Sequence, residues 1–159
     1  MSQCWIIKCK KFQIEWKKIN CNRVLLKCNL HILVIQETKI ETEEVIEDIL
    51  IGKEKYTYYS VNKEGDRHHG VGLIIRKNLQ PKFAKVSDRI CKATLKIKDI
   101  NITIIAIYAP TNSCSEKDPS ERDKLYEQLG SKIQRLPNKG FHIILGNFNA
   151  KTGSGHNEF

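Results

Sequence analysis

Polar residues lie at the ends of three apolar runs of this 159-residue chain, and their residue types could do chemistry on a phosphate. Glu37 follows one run directly, Tyr108 ends a second, and Asn147 and Asn149 follow a third. A carboxylate oxygen binds a hard divalent cation such as Mg²⁺, while a tyrosine hydroxyl and side-chain amides donate hydrogen bonds to phosphate oxygens. Each position alone also fits a structural role, which is a solvent-exposed strand end for Glu37 and an ordinary turn for the two asparagines.

The elements that must position these groups follow from hydrophobic periodicity and turn residues. We expect helices at 15–27, at 41–50 and from a cap at Ser120 to about 137. Strands are expected at 31–36, 56–61, 70–76, 93–97, 101–108 and 141–145, with a hairpin turn at Lys98 and Asp99. The first and last of these strands are short, continuous apolar runs, as buried strands are. This order predicts an α/β (α+β) layered sandwich in which helices flank two mixed β-sheets.

Length, composition and charge restrict the class of protein. A chain of this length fits one domain, 1–159, and 40% hydrophobic with 28% charged residues lies in the globular range. The net charge of +9, from 27 Lys and Arg against 18 Asp and Glu, favours polyanions such as nucleic acid. Because the basic residues are scattered along the chain, simple solubility explains the charge as well.

The cysteines and the apolar runs bear on the cellular compartment. The six cysteines show neither a C-x-x-C pair nor regular spacing, so the sequence implies no zinc site and no disulfide framework. Free thiols in a reducing compartment are expected instead. The apolar stretch at the N-terminus is too short for a signal peptide, and no run reaches the roughly 18 apolar residues of a membrane span. We therefore expect an intracellular protein, nuclear or cytoplasmic, with no membrane partner.

Four segments taken in order resemble the endonuclease/exonuclease/phosphatase superfamily. They read ILVIQETK at 32–39, GVGLII at 70–75, IIAIYAPT at 104–111 and IILGNFNA at 143–150, and CWIIK at 4–8 is similar to the family's first strand. The segments are most similar to the apurinic-type endonuclease of non-LTR retrotransposons and to craniofacial-development-protein-2-like relatives. The resemblance covers nearly the whole chain but only part of the family domain, which implies an incomplete version of the DNase I-like fold.

The resemblance implies a reaction and a role for four residues. In the family, water attacks a phosphodiester in line while one or two Mg²⁺ ions and polar side chains neutralise charge on the phosphate. Glu37 matches the metal-binding glutamate, and Tyr108 matches the phosphate-contacting tyrosine. Asn149 matches the asparagine that holds the scissile phosphate or the attacking water, and Asn147 takes the position of a catalytic aspartate. DNA is the implied substrate, ahead of the phosphoinositides and sphingomyelin that other branches hydrolyse.

Three positions depart from the family's pattern. Ile6 stands where the family has an asparagine metal partner, and it offers no oxygen ligand. Asn147 stands where an aspartate positions or deprotonates the attacking water, and an amide cannot act as a base near neutral pH. Thr111 occupies the place of the asparagine after Tyr-x-Pro, so Asn112 is a weak candidate for a displaced phosphate contact.

The fourth departure concerns the acid/base histidine of the family, for which this sequence offers no match. The family's Ser-Asp-His segment would lie after Phe159, and neither His142, inside the last expected strand, nor His156, in a polar tail, can replace it. His68 and His69 are expected to be exposed in a loop. Because one ligand, one carboxylate and the histidine are missing together, we expect this chain alone to be inactive as a nuclease.

Three functions are compatible with the sequence. The first is a nuclease whose sequence here forms part of a longer reading frame. A non-catalytic nucleic-acid-binding relic of a retrotransposon would bind DNA in a salt-sensitive way without cutting it. A protein-interaction module would neither bind nor cut DNA.

Overall fold

The computed structural model describes residues 4–8, 14–40, 43–66, 68–111 and 119–149. The described helices are α1 (Ile14–Lys27) and α2 (Pro119–Gln134). The strands are β1 (Cys4–Lys8), β2 (Ile32–Gln36), β3 (Glu44–Ile51), β4 (Glu54–Val61), β5 (Val71–Arg76), β6 (Lys82–Ser87), β7 (Ile90–Ile97), β8 (Ile100–Tyr108) and β9 (Phe141–Asn147). One turn of 3₁₀-helix, Lys77–Leu79, follows β5.

The described strands form two sheets, and each sheet mixes parallel and antiparallel neighbours. The first sheet has the order β1-β2-β5-β4-β3, and the second has the order β6-β7-β8-β9. β1 runs parallel to β2 and β8 runs parallel to β9, whereas the other neighbours are antiparallel. The predicted layered sandwich of two mixed sheets is confirmed.

The main core lies between the two sheets and is built from alternate residues of their strands. Val34 and Leu73 enter it from the first sheet, Ile104 and Ala106 enter it from the second, and all four are 0% exposed. Tyr108 belongs to the same row of β8 and to the same cluster. The packing of this strand therefore fixes where the tyrosine ring lies.

The helices cover the outer faces of the sheets. Leu33 of β2 belongs to one buried cluster with Leu25 of α1, and Ile105 of β8 belongs to another with Leu125 and Leu129 of α2. Strands covered on both faces must be apolar on both, which is why β2 and β8 read as continuous apolar runs. Neither α1 nor α2 is long and apolar enough to cross a membrane.

The prediction of an acidic helix at 41–50 is wrong, because the chain forms β3 from Glu44 onward. The apolar residues here are spaced by three and four, as on one face of a helix. In the structure a bulge lies between Ile46 and Ile49, where Asp48 has a φ of +56°. The extra residue lets Ile46 and Ile49 pack into the same cluster, while Val45 is exposed. A bulged strand therefore imitates helical spacing.

Three smaller predictions are corrected as well. β6 is a strand that the hydrophobic pattern does not predict, and its Phe83 stacks on Tyr59 with ring centroids 5.0 Å apart. β9 forms where a buried strand was expected but is only partly buried, with Phe141 62% exposed, since among the described strands it pairs with β8 alone. α2 begins at Pro119, a residue suited to the first helical turn, and not after a cap at Ser120.

Candidate functional site

Glu37 and Tyr108 are joined at the rim of the sandwich although 71 residues separate them. Glu37 follows β2 directly with a φ of +54°, and Tyr108 ends β8. The Tyr108 hydroxyl donates a hydrogen bond to Glu37 Oε1 at 3.3 Å. The Arg89 guanidinium lies 5.9 Å from the centroid of the tyrosine ring, which is only 4% exposed. The core thus holds the ring while the hydroxyl reaches the carboxylate at the rim.

Asn147 and Asn149 lie beside Tyr108 because β9 runs parallel to β8. Asn147 is the register partner of Tyr108, and its carbonyl accepts a hydrogen bond from Ala109 N at 2.9 Å. Its side-chain Oδ1 accepts the backbone N–H of Asn149 at 2.9 Å, and Asn149 Nδ2 donates to the Ala109 carbonyl at 2.6 Å. The structure therefore brings Asn147 and Asn149 to the strand end where Tyr108 meets Glu37.

Two further positions named from the sequence, Ile6 and His142, lie in described strands. Ile6 lies in β1, where its register partner is Val34 of β2. His142 lies near the start of β9, at the end opposite Asn147, and its Nε2 donates to the Pro137 carbonyl at 2.9 Å. Asn112 and His156 lie outside the described residues.

The segment after β2 is tied through its backbone to the segment before β5. Thr38 N donates to the Gly70 carbonyl at 3.3 Å, and Lys39 N donates to the His69 carbonyl at 2.8 Å. Gly70 has a φ of +108°, and a Cβ there would overlap Thr38 Oγ1, so this approach requires glycine. The two hydrogen bonds place the loop before Gly70 next to Glu37.

His69 and Asp66 form a polar pair in that loop. His69 Nδ1 donates to Asp66 Oδ2 at 2.6 Å, and Asp66 Oδ1 accepts the backbone N–H of His68 at 2.7 Å. The two side chains are 28% and 21% exposed, and the His69 ring centroid lies 6.0 Å from that of Tyr108. The expectation that His69 is exposed is wrong, because the backbone ladder holds it against the sandwich. His68 is exposed, as expected.

Asp66 is kept in its charged form. Burial raises the pKa of its carboxyl, but the backbone N–H of His68 and the ring of His69 together lower it more, so the pKa of Asp66 lies below its ordinary 3.8. A charged Asp66 accepts the Nδ1–H of His69, which leaves Nε2 as the ring nitrogen that Asp66 does not contact. The spacing Asp-x-x-His directly before the GVGLII segment is the feature that points to this pair in the sequence.

A cleft of about 450 Å³ opens beside the rim. Its walls carry charges of both signs, three cations and three carboxylates, beside the ring of His69. The cations are Lys63, Arg89 and Lys124, and the carboxylates are Asp66, Asp88 and Glu121. Positive side chains in a concave surface raise the local concentration of anionic ligands. Three carboxylates balance the three cations of this lining, so the individual cations, and not a net positive charge of the cleft, could contact a phosphate.

Glu37 is the residue that could hold a divalent cation at this rim. In the part of the chain that the structure describes, no three His, Cys, Asp or Glu side chains are grouped as a metal cluster would require. Mg²⁺ does not need such a cluster, because it binds one or two carboxylates and keeps waters and substrate phosphates as its other ligands. A single carboxylate beside a hydroxyl that could bind phosphate is consistent with this mode of Mg²⁺ binding.

Two sequence comparisons identify proteins to which this chain is similar. A profile of the Endonuclease/Exonuclease/phosphatase family matches residues 17–158. Craniofacial development protein 2 of Bos taurus is 31% identical over 102 residues, which cover 62% of this chain and 17% of that protein. The chain thus spans about a sixth of the length of this curated relative.

Two solved structures share the architecture. The endonuclease domain of TRAS1, a telomere-specific non-LTR retrotransposon, has a TM-score of 0.59 at 13% identity, covering 96% of this chain and 61% of that one. An AP endonuclease from Archaeoglobus fulgidus has a TM-score of 0.59 at 20% identity, covering 94% and 58%. Such identities show the fold alone, which is DNase I-like. Because the family profile spans most of the chain, this protein belongs to the endonuclease/exonuclease/phosphatase family.

Proposed function

We propose that this domain is a Mg²⁺-dependent DNA endonuclease of the retrotransposon type in which Asn147 strongly impairs hydrolysis. The observation that carries the proposal is the hydrogen bond from Tyr108 to Glu37, with Asn149 held against the residue after Tyr108. A carboxylate, a hydroxyl and an amide thus lie within reach of one phosphodiester. Family membership supports phosphodiester hydrolysis as the class of reaction.

Glu37 would be the protein ligand of the metal ion. Its carboxylate lies at the rim, at the end of a buried strand that fixes its position. Mg²⁺, when bound, would neutralise charge that develops on the phosphate. Ile6 adds no oxygen, so the remaining ligands would be water and substrate.

Tyr108 and Asn149 would bind the phosphate itself. The tyrosine hydroxyl can turn its single hydrogen from Glu37 to a phosphate oxygen. Asn149 Nδ2 has a second hydrogen beside the one it gives to Ala109. Both groups are fixed before substrate arrives, because the Tyr108 ring is buried and the Asn149 backbone N–H is bonded to Asn147. Donors that are preorganised in this way stabilise the charge of the transition state.

Asn147 is the reason for the impairment. Its Oδ1 accepts the backbone N–H of Asn149, so the side chain holds the loop in shape as an aspartate would. It cannot take a proton from water, since an amide is not a base near neutral pH. The site therefore keeps its phosphate-binding geometry and loses most of its rate.

DNA is the substrate that the charges favour. The net charge of the chain is +9. The cleft beside the rim carries three cations and three carboxylates, so the preference for DNA rests on the charge of the whole chain. Contacts between such cations and backbone phosphates make binding strongly dependent on salt. A DNA substrate places the proposed activity in the nucleus or cytoplasm.

The test is nicking of supercoiled or abasic plasmid DNA in Mg²⁺, compared between wild type and Glu37→Gln. We expect slow nicking that requires Mg²⁺ and that Glu37→Gln lowers by at least about tenfold, which corresponds to about 1.4 kcal/mol. Glu47→Gln is the matched control, because Glu47 is an exposed carboxylate of β3 with 66% of its side chain accessible. Nicking that survives Glu37→Gln, or that needs no Mg²⁺, would contradict the proposal.

A non-catalytic DNA-binding function is the second candidate, and the structural use of Asn147 favours it. The same chain would then bind duplex DNA with an affinity that falls steeply as salt rises. Fluorescence anisotropy measures this binding without any requirement for cutting. Salt-sensitive binding with no nicking at any Mg²⁺ concentration would select this candidate over the first.

A further inference from the structure

The loop that carries the Asp66–His69 pair is also held by another buried side chain. Asn62, which is 2% exposed, already fixes the loop by donating from Nδ2 to the carbonyls of Ile40 at 2.7 Å and Asp66 at 2.5 Å. Asn62 Oδ1 also accepts the backbone N–H of Lys63 at 2.9 Å. Apart from the bond that Asp66 Oδ1 accepts from the His68 backbone, the carboxylate and the imidazole hold each other.

The pair lies between the proposed phosphate site and the cleft. The His69 ring is 6.0 Å from the Tyr108 ring, and the His69 carbonyl accepts the backbone N–H of Lys39, two residues after Glu37. Asp66 and His69 also line the cleft. A DNA strand that leaves the rim along the cleft passes this imidazole.

We propose that His69, oriented by Asp66, is the general base of this site and accepts the proton of the water that attacks the DNA phosphodiester. This assignment rests on the proposed function. Asp66 fixes the Nδ1–H tautomer, so Nε2 carries the lone pair that a base needs. The arrangement of carboxylate, imidazole and attacking group is one that hydrolases use on unrelated folds.

The step balances without a further reactant. The water oxygen forms a bond to phosphorus while its proton passes to His69 Nε2, and the bond from phosphorus to the leaving oxygen breaks. The leaving oxygen takes a proton from solvent, and Nε2 later returns its proton to solvent through the cleft. One water is consumed for each phosphodiester cut.

Position 147 explains why a base from another part of the chain matters here. Asn147 cannot accept the proton, and its Oδ1 is already bonded to the backbone of Asn149. His69 reaches the rim from the first sheet, whereas Asn147 belongs to the second. The backbones of Thr38 and Lys39 anchor the loop that carries His69. The pair would supply the proton acceptor that the amide of Asn147 cannot.

The rate test compares His69→Gln with His68→Gln in plasmid nicking by the whole chain in Mg²⁺. General bases contribute about 10²–10⁴-fold, so we expect His69→Gln to lower the rate by at least about tenfold. The dissociation constant for DNA, measured by anisotropy, should stay within about twofold. His68→Gln, a change in the exposed neighbour, should alter neither quantity. Added imidazole should restore part of the rate lost in His69→Ala, which a purely structural role would not allow.

Nitrogen-15 NMR of the imidazoles gives a readout that does not depend on cutting. We expect the Nδ1-protonated tautomer for His69, and its loss in Asp66→Asn, because Asp66 acts as the positioning residue. A phosphorothioate duplex that resists hydrolysis should shift the His69 Nε2 resonance and leave that of His68 in place.

The outcomes separate the two proposals. A chain that binds DNA without moving the His69 resonance, or a His69→Gln variant that cuts as fast as wild type, overturns the base assignment and leaves the DNA site standing. Wild type that binds DNA and never nicks it refutes the endonuclease proposal in favour of the non-catalytic candidate, and the base assignment with it. A wild-type chain that does not bind DNA at all refutes the proposed function, and the base assignment with it.

Discussion

Gly146→Ala is expected to be among the most damaging single changes near the site. Gly146 of β9 lies against the backbone of Ile107 in β8, one register step before Asn147 meets Tyr108. A Cβ on residue 146 would overlap the Ile107 carbonyl oxygen and lie 2.8 Å from its carbonyl carbon and 2.6 Å from Cγ2. A backbone carbonyl cannot swing away as the end of a flexible side chain can. β9 must therefore shift away from β8.

The size of the effect follows from this overlap. Comfortable contacts between carbon and a carbonyl oxygen begin at about 3.3 Å, so the strand has to move by roughly an ångström or more. Overpacking costs about 1–3 kcal/mol and occasionally more, and we expect about 3 kcal/mol here because backbone is involved. The same shift carries Asn147 away from Tyr108, and a displacement of about 1 Å at a site can cost about 10²-fold in rate.

Urea denaturation followed by circular dichroism measures the free energy of unfolding. Gly130→Ala is the matched control, because Gly130 lies inside α2 and a Cβ there meets nothing within 4 Å. Alanine should stabilise that helix by about 0.5–1 kcal/mol. The reasoning fails if Gly146→Ala costs less than about 1 kcal/mol, or if it leaves the nicking rate unchanged.

Two further changes test the core and the pH response. Leu73→Ala, in the fully buried core between the sheets, should lower the free energy of unfolding in urea by about 3 kcal/mol. Leu50→Ala, at a residue that is 65% exposed, should change it by no more than about 0.5 kcal/mol. Equal losses in the two variants would contradict the layered core. Burial and the charge of Arg76 lower the pKa of His31 in the folded protein below its ordinary 6.5. The unfolded chain therefore binds more protons at His31 than the folded chain does. Stability is lost as the pH falls from above 6.5 through the lowered pKa of the folded state. The melting temperature should therefore fall between about pH 7 and pH 5, and His31→Gln should make that fall smaller; an unchanged slope would contradict this origin.

The parts of the fold that could be predicted from the sequence are those whose information is local. The hairpin at Lys98 and Asp99 joins β7 to β8 as its turn residues indicate, with Lys98 at a φ of +55°. β2 and β8 are apolar on both faces because each is covered on both. β3 could not be predicted in the same way, because the bulge at Asp48 exists only through pairing with β4.

The candidate site also contains parts that the sequence locates and parts that it does not. Glu37 and Tyr108 lie at strand ends that the sequence locates, but their hydrogen bond spans 71 residues and no local pattern implies it. The family resemblance alone connected them. An Asp and a His three residues apart in a polar loop are usually solvated. His69 is half-buried here, and its carbonyl accepts a hydrogen bond from the Lys39 backbone, which lies beyond the end of a strand distant in sequence.

The two proposals meet at position 147, where Asn147→Asp tests one against the other. An aspartate keeps the oxygen that accepts the Asn149 backbone N–H, so the loop should hold its shape. It adds a carboxylate that can take a proton from water. We expect plasmid nicking in Mg²⁺ to become at least about tenfold faster, which lowers the barrier by about 1.4 kcal/mol. DNA binding without Mg²⁺ should weaken slightly at low salt, because the site gains a negative charge.

If His69 is the base in this chain, removing it should matter less once position 147 carries a base of its own. His69→Gln should lower the nicking rate at least about tenfold in the chain as it is, and less than about threefold when combined with Asn147→Asp. The ratio of these two losses is a coupling between residues that reach the rim from opposite sheets, His69 ahead of β5 and Asn147 at the end of β9. Two bases that can each take the same proton are substitutes, so their effects on the barrier cannot simply add. Equal losses in the two backgrounds would mean that His69 acts in some step other than accepting the proton of the attacking water.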